Sequence, residues 1–118
     1  MTEKTEATGK LCVIWSSGDP DVAEKLVFMY TRNAKLRGWW EQVRLVVWGP
    51  SAKLLSDDPN LREQIGAVSQ AGVELQACKA CSDMYGVSDD LAALGIEVKY
   101  MGQPLTEMLK SDWVMLTF

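Results

Sequence analysis

Two cysteines, Cys78 and Cys81, form a Cys-x-x-Cys pair in the stretch 73-VELQACKACSDMYGV-87, where an apolar strand pattern changes into a helical one. Such a pair can be a reactive thiol site, half of a metal site or two small core residues. The first turn of a helix favours a thiolate, because free backbone N–H groups and the helix dipole stabilise negative charge. Lys79 adds a positive charge between the two cysteines. Such surroundings can lower a thiol pKa, so we expect at least one reactive thiol here.

The chain contains no histidine, which restricts the chemistry open to this pair. Ser-His-Asp and Cys-His catalysis are excluded, and imidazole metal ligands are missing. A zinc site normally needs four ligands, of which one Cys-x-x-Cys supplies two, so we expect no metal. The chain has no GxGxxG or GxxxxGK[ST] motif, and we expect no nucleotide or other cofactor. Dithiol–disulfide exchange and transfer of sulfur as a persulfide stay open.

The composition describes an ordinary globular chain of 118 residues with 12 basic and 16 acidic residues and a net charge of −4. This balance argues against binding to nucleic acid or to an anionic membrane. The start, 1-MTEKTEATGK-10, is polar and has no signal-peptide pattern, and the longest apolar run, 11-LCVIW-15, is too short to span a bilayer. We expect a cytoplasmic protein with free thiols, a disordered lead-in over residues 1–9 and a single domain over 10–118.

Strand-like and helix-like segments alternate along the chain. The five predicted strands are 10-KLCVIWS-16, 42-QVRLVVW-48, 73-VELQACK-79, 96-IEVKYM-101 and 112-DWVMLTF-118. Asp19-Pro20 and Asp58-Pro59 predict helix starts with an N-cap followed by proline, and the first of these helices should run to about Arg37. Ser88 predicts another N-cap, and Pro104 predicts the start of a last short helix.

This alternation predicts an α/β fold with a five-stranded, mainly parallel sheet and helices on both faces. The common strand order for five strands is 2-1-3-4-5, with a reversal between strands one and three. Ligands and reactive groups in such sheets lie outside the carboxyl ends of the strands at the reversal. The loops 16-SSGDP-20 and 78-CKAC-81 follow strands one and three. The predicted order therefore places the cysteine pair at the expected crevice.

Several other residues are candidates for a role in this crevice. Backbone N–H groups and hydroxyls in two loops could hold a small anion, at Ser16, Ser17, Gly18 and Asp19 and at Gly49 and Ser51. Asp19 fits a helix cap better than an acid catalyst, and Asp83 and Tyr85 either tune the cysteine turn or lie in solvent. Cys12 lies inside an apolar strand and is interpreted as a core residue. The adjacent Trp39 and Trp40 could cover a subunit interface.

The run 75-LQACKACSDMYGVSDDLAALGIEVKYMGQPLTEMLKSDWVMLTF-118 resembles the DsrE/DsrF-like family. The shared pattern is a strand ending in cysteine, a Gly-Val break, a Gly-Ile-Glu-Val strand, a Gly-x-Pro-Leu turn and an aromatic last strand. The segment 46-VVWGPSAKLL-55 is similar to the end of the family's second strand and the loop after it. The resemblance extends over most of residues 10–118.

The resemblance implies a three-layer, flavodoxin-like sandwich, often assembled as a trimer or hexamer. Some family members carry sulfur between proteins, and the position that matches their persulfide-carrying cysteine is Cys78. Cys81 belongs to a CKAC variant of the pattern and would modulate or resolve the persulfide. The expected partners are a sulfur donor protein and an acceptor protein. Two alternatives stay open: a non-catalytic binding or assembly module, and a dithiol–disulfide redox protein using Cys78 and Cys81.

Overall fold

A computed structural model describes residues 8–118 of the chain. Its elements in chain order are β1 (Lys10–Trp15), α1 (Pro20–Val22), a π-helical segment (Ala23–Phe28), α2 (Met29–Leu36), β2 (Gln42–Val47), α3 (Pro50–Asp57), α4 (Pro59–Gln70), β3 (Glu74–Cys78), α5 (Lys79–Tyr85), α6 (Ser88–Ala93), β4 (Glu97–Lys99), α7 (Gly102–Leu109) and β5 (Trp113–Thr117). The first seven residues of the predicted lead-in lie outside the described residues. No helix within residues 8–118 is long and apolar enough to cross a membrane.

The five strands form one sheet in which all neighbouring strands are parallel, so the predicted α/β class and strand positions are confirmed. The predicted order 2-1-3-4-5 is wrong, because the order is β4-β3-β2-β1-β5. Hydrophobic periodicity identifies strands but does not specify which strands pair. The burial of each strand explains the result: β2 is buried along most of its length and lies inside the sheet, whereas β5 is partly exposed and forms an edge.

Successive strand residues point to opposite faces of the sheet, which creates two cores of unequal size. On the first face, strand residues such as Val13, Leu45 and Ala77 join Leu55, Leu61 and other helix residues in one large buried cluster. On the second face, the smaller cluster contains Cys12, Val46, Cys78, Met101 and Met108. The steps from β1 to β4 all run in one direction, so right-handed crossovers place their helices on one face. The reverse step to β5 places α7 on the other face.

The predicted helix starts have different outcomes. Asp19 caps α1 through the Asp21 N–H at 2.8 Å, and Asp58 caps α4 through the Asn60 N–H at 2.9 Å, as expected from the two Asp-Pro pairs. The N-cap of α6 is Val87, so the prediction of Ser88 as a cap was wrong. The Ser88 hydroxyl instead hydrogen-bonds the Ser82 hydroxyl at 2.7 Å.

Two local features were not expected from the sequence. Residues 50–57 were interpreted as part of the loop after β2, but they form α3, with Pro50 in its first turn. The helix predicted from Asp19 to about Arg37 is present as α1, the π-helical segment and α2 in succession. The failure to predict α3 matters for the site, because the start of this helix lies next to the cysteine pair.

Candidate thiol site

Cys78 is the last residue of β3 and Cys81 lies in the first turn of α5. The Cys78 side chain points to the second face of the sheet, where the residue is only 5% exposed and packs in one cluster with Val46 and Met101. Cys81 is half-buried at the edge of this cluster. Both cysteines are free. The site therefore contains two adjacent thiols of unequal accessibility.

The expected lowering of the thiol pKa is not found at Cys81, where burial is the largest influence and raises the pKa above the ordinary thiol value. A hydrogen bond from the Gly49 backbone N–H acts in the opposite direction and lowers it, and the bond with Cys78 raises it again. Removing the thiolate from water costs more free energy than the N–H groups of the turn return.

The turn at Gly49 supplies the backbone N–H that contacts Cys81. Gly49 is the N-cap of α3 and has φ 75° and ψ −138°, a conformation that residues with a Cβ rarely adopt. A Cβ at Gly49 would meet no atom within 4 Å, so glycine is needed for the backbone conformation and not for space. The fully buried Ser51 hydroxyl accepts from the Trp48 N–H at 3.2 Å and donates to the Trp15 carbonyl. Ser51, which the sequence offered as an anion ligand, thus holds the turn against the end of β1.

The loop after β1 uses its polar groups to hold the backbone. The Ser16 hydroxyl donates to the Phe118 carbonyl at 2.9 Å, and the Ser17 hydroxyl accepts from the Asp19 N–H at 3.1 Å. Asp19 caps α1, as described above. A Cβ built on Gly18 would lie 3.5 Å from the Cβ of Pro50, so this glycine packs beside the turn that carries Gly49. Through Gly18, the loop after β1 therefore packs against the Gly49 turn and supports it.

Charged residues on α5 form a small network of their own. The Lys79 ammonium lies 2.6 Å from an Asp83 carboxylate oxygen and 5.5 Å from the centre of the Tyr100 ring. The hydrogen bond from Lys79 is the main cause that holds the pKa of Asp83 below its usual value, and the Ser88 hydroxyl adds to it. Lys79 therefore interacts with a carboxylate as well as lying next to Cys78 in the chain. Tyr85 is 41% exposed.

The strand β4 and the end of β2 bring further residues to this face of the sheet. Lys99 is the register partner of Cys78 on the neighbouring strand, and its ammonium lies 3.5 Å from the Glu97 carboxylate. Met101 is fully buried and Trp48 is half-buried in the cluster that contains Cys78. The adjacency of strands three and four was part of the predicted order, so aligning their carboxyl ends could have identified Lys99. Trp48 required the correct position of β2.

No group of three or more histidine, cysteine, aspartate or glutamate side chains that could hold a metal ion occurs within residues 8–118. What the arrangement supplies is a thiol pair, a backbone N–H donor and an apolar wall. Such a site can form and break sulfur–sulfur bonds without a bound group.

Comparison with known proteins agrees with this architecture. The chain is similar to the structure of BT1422, a conserved protein of unknown function from Bacteroides thetaiotaomicron, with a TM-score of 0.89 and 37% identity over 92% of this chain and 94% of that chain. The ychN protein from E. coli has a TM-score of 0.63 and 18% identity over 94% of this chain and 100% of that chain, which shows a shared fold. A search of curated proteins gave no match. The family model described as DsrE/DsrF-like matches residues 9–118, and the chain therefore belongs to the DsrE/DsrF-like family.

Proposed function

We propose that this protein carries sulfur as a persulfide on Cys78, with Cys81 as the assisting thiol. The observation that carries the proposal is the pair of free thiols packed together at the carboxyl end of β3, with one thiol buried and the other half-exposed. An enclosed sulfur atom is protected from reductants, while a neighbouring thiol gives access to it. The position of Cys78 at the end of β3 also matches the cysteine that carries sulfur in some members of the family.

The chemistry needs only thiols and a sulfur donor. A thiolate of the site attacks the outer sulfur of a donor persulfide, the donor leaves as a thiolate, and the sulfur is then held on Cys78. The sulfur then leaves when a thiolate of an acceptor protein attacks it, which regenerates Cys78. Each step breaks one sulfur–sulfur bond and forms another, so no outside oxidant or reductant is required.

Intact mass spectrometry after treatment with glutathione persulfide tests this proposal. We expect the protein to gain the mass of one sulfur atom, and we expect Cys78→Ser to lose the lasting adduct. Cys12→Ser is the matched control, because Cys12 is a fully buried cysteine on the same face of the sheet. Absence of the adduct from the wild-type protein, with both site thiols slow to alkylate, would contradict the proposal and favour a non-catalytic binding module.

A dithiol–disulfide redox function is the second candidate, because the two free thiols pack in the same cluster. Oxidation would join Cys78 to Cys81 with the loss of two hydrogen atoms. The same mass spectra separate the two functions. A stable disulfide that forms with mild oxidants, has a measurable reduction potential and prevents sulfur loading would favour the redox function over sulfur transfer.

The proposal includes assembly of the chain into a homo-oligomer, a trimer or hexamer. It also includes transient contacts with a sulfur donor protein and an acceptor protein. The exposed side chains of Leu26, Met29 and Trp39 support self-association, because they line an open, mainly apolar groove of about 420 Å³. Trp40, which was considered with Trp39 as an interface residue, is half-buried and donates to the Tyr30 hydroxyl at 3.1 Å. Sedimentation of the wild-type protein beside Met29→Glu tests this part, and a monomer at all concentrations would contradict it.

A further inference from the structure

We propose that sulfur enters this site at Cys81 and then moves to Cys78, and that the Gly49 backbone N–H stabilises Cys81 as the leaving thiolate of this transfer. The inference rests on the proposed function and adds an order of events to it. It also assigns Gly49 a direct contact with a reacting sulfur atom.

The unequal burial of the two cysteines sets the direction of transfer. Cys78 is 5% exposed and is enclosed by Val46 and Met101, so an incoming donor reaches its sulfur poorly. Cys81 is half-buried and packs against the cluster that contains Cys78. A donor that meets the surface therefore meets Cys81 first, and the second thiol is already within reach.

The Gly49 turn contributes to the second step, in which the sulfur moves from Cys81 to Cys78. Gly49 is the N-cap of α3, and α3 packs against α5, the helix that carries Cys81. The Gly49 backbone N–H lowers the pKa of the Cys81 thiol, and such a donor acts more strongly when the sulfur carries a negative charge. The conformation at φ 75° and ψ −138° is one that alanine adopts only with strain. Ser51 fixes the same turn through the Trp48 N–H and the Trp15 carbonyl. The backbone N–H of Gly49 is thus held in place before negative charge develops on the Cys81 sulfur.

The two steps balance without a further reactant. The Cys81 thiolate attacks the outer sulfur of the donor persulfide, whose sulfur–sulfur bond breaks, and the donor leaves as a thiolate. The Cys78 thiolate then attacks the outer sulfur held on Cys81. A new sulfur–sulfur bond forms on Cys78, Cys81 leaves as a thiolate, and the proton lost by Cys78 is taken up by Cys81.

Time-resolved loading with glutathione persulfide tests the order. After quenching with an alkylating agent, peptide mass spectrometry of the wild-type protein should find the added sulfur on Cys81 before Cys78. Cys78→Ser should carry the sulfur on Cys81 only transiently and lose it without a lasting adduct, and Cys81→Ser should load Cys78 at least about tenfold more slowly. The wild-type time course needs no variant, so it decides the order even if a cysteine variant fails to fold.

Gly49→Ala tests the role of the backbone N–H, with Gly95→Ala as the matched control. Both glycines have positive φ, 75° and 83°, and a Cβ at either would meet no atom within 4 Å. Gly49→Ala should slow the movement from Cys81 to Cys78 by about tenfold and shift the alkylation profile of Cys81 to higher pH. Gly95→Ala should change neither property.

The possible failures are distinguishable. A wild-type protein that never gains sulfur overturns the proposed function, and with it the order of transfer. A wild-type protein that loads Cys78 first, or a Cys81→Ser variant that loads at the wild-type rate, overturns only the order. An unchanged pH profile of Cys81 in Gly49→Ala overturns the role of Gly49, and alkylation measures this without any persulfide.

Discussion

Cys12 and Cys78 lie on the same face of the same sheet, but their surroundings differ. Cys12 lies in the middle of β1, paired in register with Arg44 on one side and Met115 on the other, and it has no exposed surface. Burial raises its pKa to about 11, the charge of Arg44 lowers it and that of Glu74 raises it further. Cys78 lies at the end of β3, where it contacts a second thiol next to the Gly49 turn.

The difference shows that position along the strand controls what a cysteine on this face can do. In the middle of a strand, neighbouring strands and the covering layer enclose the sulfur on all sides, and the thiol behaves as a small apolar side chain. At the carboxyl end, the backbone turns and brings N–H groups and a second side chain to the sulfur. We therefore expect a reactive thiol on this face at the end of a strand and not in its middle.

Alkylation of the native protein should give the largest contrast between the two regions. We expect iodoacetamide to modify Cys81 first, and Cys12 at least about a hundredfold more slowly, because its thiol is enclosed and its pKa is high. Peptide mass spectrometry at successive times measures the three cysteines separately. All three should react at similar rates in denaturant, and labelling of Cys12 as fast as Cys81 in the native state would contradict the comparison.

The raised pKa of Cys12 also predicts a dependence of stability on pH. The folded protein holds this proton up to a pKa of about 11, whereas the ordinary value is 9.0. Its contribution is fully present below pH 9 and is lost as the pH rises from 9 to 11, by roughly 3 kcal/mol at most. Urea unfolding at successive pH values measures the slope. Cys12→Ala should flatten it whatever its own stability, and an unchanged slope would assign the effect to other groups.

Ser51→Ala should weaken the carboxyl-end region by a smaller amount. The buried hydroxyl accepts from the Trp48 N–H, and its loss leaves buried backbone groups with fewer partners, which costs about 1–2 kcal/mol in the free energy of unfolding. Ser56→Ala is the matched control on the same helix, because its hydroxyl bonds Asp90 at the exposed surface. Equal losses in the two variants, measured by urea unfolding, would show that Ser51 does not fix the turn.

Asp83→Asn should have the smallest effect, because the Lys79–Asp83 pair lies at the surface. The pKa of Asp83 is lowered in the folded state by Lys79, so its contribution is present above the usual carboxyl range and is lost as the pH falls through the folded value. We expect a slight decrease in the melting temperature at neutral pH that disappears in acid. The pH profile of Cys81 alkylation should stay unchanged, and a shift would show that this pair tunes the thiol site.

Much of the site was predictable from local signals. The alternation of apolar residues identified the five strands, and Asp19 and Asp58 identified two helix starts through side chains that bond nearby N–H groups. The location of Cys78 at a strand-to-helix turn followed from the same local pattern. The helix α3 was not predicted, because 50-PSAKLLSD-57 is short and follows a Gly-Pro turn signal. The sequence offered the Gly49 backbone N–H as an anion ligand, but its place at the start of a helix that packs beside the cysteine turn required the structure.

The sequence by itself determined the α/β class and the end of the strand at which the cysteine pair lies, because periodicity and capping act over a few residues. Only the tertiary structure decided the order β4-β3-β2-β1-β5, since pairing depends on how much of each strand must be buried. The tertiary structure also decided how the surroundings shift the pKa of the Cys81 thiol. Burial of Cys81 and its contact with the Gly49 N–H arise between segments far apart in the chain, and their opposing effects on the pKa depend on distances that no local pattern contains.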